Sequence, residues 1–100
     1  MRIPKKVQVG NQDICVKMLD CVKDKEVDGG KPLLGMADRE GCEIYIQKGL
    51  NNDKRKEVFL HEVLHIIESV YDINLGEHKV NILSTAIIDL IKRNNIDFRC

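Results

Sequence analysis

The stretch Phe59-Leu60-His61-Glu62-Val63-Leu64-His65 decides how this chain is read. Two histidines four positions apart stand one above the other on a helix, close enough for both imidazoles to reach one ion. Zinc accepts neutral imidazole nitrogen at about 2.0–2.1 Å. The carboxylate that follows the first histidine, Glu62, then sits beside a water held by that ion, where it can act as general base. H-E-x-x-H therefore specifies two ligands, a base and an open coordination position. A five-residue pattern can arise by accident. This one holds two of the chain's 3 histidines and lies in apolar, helix-favouring surroundings.

Working outward, Asn51-Asn52-Asp53 offers N-cap residues, and the periodicity predicts a helix from there to about Tyr71. Phe59, Leu60, Val63, Leu64, Ile67, Val70 and Tyr71 fall on one broad face, with His61 and His65 at its margin. Asp72-Ile73-Asn74-Leu75-Gly76 breaks the pattern. A second helix is expected from Glu77 to about Asn94, turning Val80, Leu83, Ser84, Ile87, Ile88 and Ile91 inward.

Toward the N-terminus the period changes from helical to twofold. Lys5 to Gly10 and Gln12 to Leu19 read as paired strands, and Gly10-Asn11 supplies the turn. Leu33–Ala37 and Cys42–Gln47 read as a second hairpin across Asp38-Arg39-Glu40-Gly41. Between the pairs, Cys21 to Lys31 is charged and glycine-ended, a surface loop by composition. The expected fold is α+β: a small antiparallel sheet of about four strands followed by two packed helices, in one domain over residues 1–100.

Composition narrows the function classes. With 16 basic and 16 acidic residues the formal net charge is zero, so no cationic surplus points to nucleic acid or an anionic membrane. No apolar run approaches the roughly 20 residues of a membrane span. Met1-Arg2-Ile3-Pro4-Lys5-Lys6 lacks the apolar segment of a secretory signal, and a cytoplasmic location is expected. Cys15, Cys21, Cys42 and Cys100 form no C-x-x-C pair; Cys15 and Cys42 are expected as small core residues and Cys100 as an exposed thiol.

A catalytic zinc takes three protein ligands and leaves one position open. The candidates downstream are Glu68, Glu77, His78 and Asp89. Glu68 lies about 10.5 Å beyond His61 along a helix axis, too far to share its ion but placed to support a ligand. The astacin and matrix-protease pattern needs glycine at position 68 and histidine at 71, where this chain has Glu68 and Tyr71. Glu77 shares the wheel sector of Val80 and Ser84 and is preferred over His78, which is rotated toward solvent. A first-turn acid also suits the helix dipole, with or without a metal. A tight helical hairpin would bring Ser84, not Glu77, level with His65. Glu77 reaches the ion only if the connector runs back toward the histidines.

These residues resemble the small zinc-peptidase-like proteins of bacteriophages and integrated elements, relatives of the ImmA/IrrE-type metallopeptidases. The likeness covers most of the chain. It is carried by Cys42-Glu43-Ile44-Tyr45-Ile46, the charged segment 52–57, Phe59 to His65, and Glu77-His78-Lys79-Val80-Asn81-Ile82-Leu83-Ser84. It implies a minimal zincin-like fold, zinc on His61, His65 and Glu77, and Glu62 as catalytic acid/base. The function it implies is hydrolysis of a peptide bond in a specific protein substrate. No helix-turn-helix accompanies the motif, so no DNA-binding or sensing role is carried over. The other expectation is a non-catalytic interaction module with a structural or vestigial zinc. Tyr45, Tyr71, His78 and Arg39 remain open as oxyanion stabilisers. The strand Glu43–Gln47, were it at the sheet edge, would pair with an extended substrate.

Overall fold

Twofold alternation builds the sheet, and its buried positions show which face meets the helices. The structure, a computed structural model, describes residues 3–22 and 33–96. Its elements are β1 (Lys6–Val9), β2 (Gln12–Leu19), β3 (Gly35–Asp38), β4 (Glu43–Gln47), α1 (Asn52–Val70) and α2 (Glu77–Asn94). The architecture is α+β, with a four-stranded sheet preceding two helices. Ile14 and Val16 on β2 and Ile44 and Ile46 on β4 are buried on the helix-facing side, as period-two alternation requires. The loop expected at 21–31 falls, from residue 23 on, outside the described residues, as does Cys100.

The sheet departs from expectation in one respect: it is mixed, not antiparallel. The order is β1-β2-β4-β3, with β2 and β4 parallel and the other two pairs antiparallel. Hydrophobic burial accounts for the order. The β3–β4 hairpin carries its two fully buried side chains, Ile44 and Ile46, on β4. Strand β3 offers only Gly35-Met36-Ala37-Asp38. Docking the hairpin through β4 buries the isoleucines in the centre and leaves β3 at the edge. Glu43–Gln47 is therefore an interior strand, correcting its expected place at the edge.

Helix α1 lies between the sheet and α2. Asn51 caps it, its side chain accepting the Lys54 N–H at 2.8 Å. Val58, Phe59 and Ile66 join the cluster under the sheet, with Val63, Ile67 and Val70 packed beside them. Leu64 and Val80 are buried outside that cluster, where the helices meet. A helix covered on two sides needs more than one apolar stripe. That explains why Val58 and Ile66 are buried; Tyr71, expected on the inner face, lies past the last helical residue as the C-cap and is 59% exposed. On α2, Val80 and Ser84 are buried as expected, but Leu83 is exposed. Cys15 also departs from its expected core position. It lies between inward-facing Ile14 and Val16, so it points outward and is exposed, while Cys42 is half-buried against the core.

Candidate metal centre

The α1–α2 connector returns along α1 instead of turning tightly. Thr85 Oγ1 donates to Glu57 Oε1 at 3.2 Å, and Lys92 Nζ to Asp53 Oδ2 at 2.7 Å. A tight turn would bring position 84 level with His65; here that place belongs to Glu77, an offset of seven residues or about 10 Å of helix.

Glu77 thereby meets both histidines. Its Oε1 lies 2.8 Å from His61 Nε2, and its Oε2 lies 2.8 Å from His65 Nε2. The two Nε2 atoms are 3.2 Å apart, and the rings meet edge to face. His78, the competing candidate, is exposed and outside this group. Among the described residues, His61, His65 and Glu77 form the cluster whose donor atoms could share one ion. Donors around a tetrahedral zinc with bonds of about 2.0–2.1 Å stand about 3.3 Å apart. The two histidine nitrogens stand close to that separation, and one ligand atom from each of the three residues lies within 4.8 Å of the others. The Glu77 side chain is 65% exposed and has room to yield. Two imidazoles and one carboxylate also match the donor set of a hydrolytic zinc.

Glu62 lines the same cavity and is 7% exposed. No donor among the described residues reaches its carboxyl, so burial goes uncompensated and pushes its pKa up to about 7. His65 opposes the shift, and the Glu77 carboxylate adds to it. The cavity holds about 490 Å³, within the range of small-molecule and peptide sites. Its other wall is the start of the β3–β4 hairpin, from Leu33 to Ala37 with Arg39, while Lys54 lines it from α1. Of the four residues considered for the oxyanion, Arg39 alone lines it. Tyr45 is on the sheet's other face, donating to the Glu43 carboxylate.

Two features escaped the sequence. Gly35 lies against Glu62, and no local pattern marks it. Glu68, expected from its position to support a ligand, bonds His65 and also holds the connector, a second task that nothing in the sequence signals. Comparison with known proteins finds no significant match, whether to a family pattern, a related sequence or a solved fold.

Proposed function

We propose that this chain is a zinc-dependent peptidase, of the phage and mobile-element kind its sequence resembles, acting on a protein or peptide substrate. The observation that carries the reading is the meeting of His61, His65 and Glu77 at a cavity that also contains the buried, unpartnered Glu62. His61, His65 and Glu77 would hold the ion, which when bound supplies Lewis acidity toward a carbonyl and lowers the pKa of water. Glu62 accepts a proton from the attacking water and later returns it to the leaving amine; its burial, which raises its pKa in the metal-free site, favours that exchange of the proton. Glu68 accepts a hydrogen bond from His65 Nδ1–H, which would leave the Nε2 lone pair free to hold the ion.

Strand β3 supports the assignment of an extended substrate. Gln47 N–H donates to Leu34 C=O, and Met36 pairs with Tyr45, so in this register the hydrogen-bonding groups of Gly35 and Ala37 point away from β4. Among the described residues no strand covers that edge. A peptide added there would run past Glu62 and the apolar wall.

The second reading is an interaction module in which the ion only fastens two helices, favoured by the fact that the three donors join α1 to α2. Protein purified without chelator should contain about one zinc per chain, lost in His61→Ala, and should cleave members of a peptide mixture read by mass spectrometry. Zinc without cleavage selects the interaction module. Absence of zinc from the wild type defeats both.

A further inference from the structure

One side chain holds the connector between the helices. Glu68 is 7% exposed. Its Oε1 lies 2.7 Å from His65 Nδ1, and its Oε2 accepts the N–H groups of Leu75 at 2.9 Å and Gly76 at 3.3 Å. Its backbone carbonyl accepts the Ile73 N–H at 3.0 Å. We propose that Glu68 is a positioning residue that couples His65 to the start of α2, so that one carboxylate orients one metal donor and places another, Glu77.

Each oxygen has a separate task. Oε1 takes the Nδ1 hydrogen of His65, which selects the tautomer and leaves Nε2 toward His61 and Glu77. Oε2 locates the entry to α2. That entry lacks the usual means of being fixed: Gly76 is the N-cap with φ +84°, and no side chain caps the helix from within. Residues 72–74 and Gly76 are exposed, so little apolar packing holds the connector. Among the described residues, the amides of Leu75 and Gly76 bond to Glu68 alone. Glu77 follows directly, and its reach to both histidines depends on where Gly76 is held. Linkage makes the coupling reciprocal: an ion on the three donors tightens the connector, and a loosened connector weakens the ion's binding.

The metal half of this inference rests on the proposed function; the connector half does not. The test uses Glu68→Gln and Glu68→Ala in the full chain, with His78→Ala as control and zinc as the probe. Three readouts are taken: zinc affinity by competition with a chromophoric chelator, amide hydrogen exchange at Leu75 and Gly76, and the His65 ring tautomer by nitrogen NMR in metal-free protein. Glutamine keeps the size of the side chain but replaces one acceptor oxygen with an NH2 donor: with its oxygen on the amides it can only donate to His65 Nδ1, which reverses the His65 tautomer. Zinc affinity should fall about 10–100-fold in both variants. Exchange at Leu75 and Gly76 should accelerate in Glu68→Ala, and the His65 Nδ1–H tautomer should lose its predominance in both variants. Zinc should slow exchange at these amides in the wild type and less so in the variants. A merely structural Glu68 would change exchange without changing the tautomer or the affinity, and that result overturns the proposal. So does weakened zinc binding with unchanged exchange in Glu68→Ala. If the wild type binds no zinc, the metal reading fails by itself, and the tautomer and exchange readouts still decide whether Glu68 couples the two elements. Should Glu68→Ala fail to fold, Glu68→Gln carries the affinity and tautomer readouts and the effect of zinc on exchange.

Discussion

Gly35 lets the edge strand lie directly on Glu62: a Cβ at position 35 would stand 3.2 Å from Glu62 Oε2, and 2.5 Å from Val58 Cγ1. The requirement is for space, since Gly35 is absent from the positive-φ residues. Gly35→Ala must displace Val58 or push β3 away from α1, and overpacking of this kind costs about 1–3 kcal/mol. Chemical denaturation should show that loss, together with reduced peptide cleavage at unchanged zinc content. A variant as stable and active as the wild type would mean the strand has slack that the contact distances do not suggest.

Glu62→Gln separates chemistry from architecture. Glu62 is not among the three clustered donors, so the variant should retain one zinc per chain and its fold while losing hydrolysis. Zinc content and cleavage measured on one preparation decide the matter; surviving cleavage would exclude Glu62 as the base.

Glu77 and His78 are neighbours with opposite expectations. Glu77→Ala removes contacts to both histidines and should weaken zinc by more than the about 10–100-fold typical of losing a ligand's supporting partner. The melting temperature in excess zinc should fall with it, because an ion bound only to the folded state stabilises it by its binding free energy. His78→Ala should change neither quantity. The reverse pattern would require α2 to be rotated from its observed orientation.

Tyr45 provides a test in pH away from the metal donors. Its hydrogen bond to Glu43 raises its pKa from 10.0 to about 12, with burial and the charges of Glu43 and Asp38 adding to the effect. The fold thus favours the neutral phenol. Its contribution is complete below pH 10 and is lost as pH rises toward about 12. Wild-type stability should therefore fall more steeply between those values than that of Tyr45→Phe, measured by denaturant titration at each pH. Parallel curves would contradict the assignment.

The sequence by itself determined both helices, an N-cap for the first within Asn51–Asp53, the two hairpins and the pairing of His61 with His65. Each follows from residues within one or two turns of one another, where periodicity and capping chemistry act directly. Alternation between Ile14 and Val16 also held the information that Cys15 faces outward, although its apolar surroundings suggested the core. Tertiary structure alone decided that β4 enters the sheet beside β2 in parallel, that β3 is left at the edge over Glu62, and that the connector runs back along α1. Those outcomes depend on which surfaces, distant in the chain, bury most apolar area when brought together. No local pattern records that competition. Glu77 reaches the histidines for the same reason: a carboxylate at residue 68 holds the backbone at residues 75 and 76, a contact that exists only once the chain has folded back.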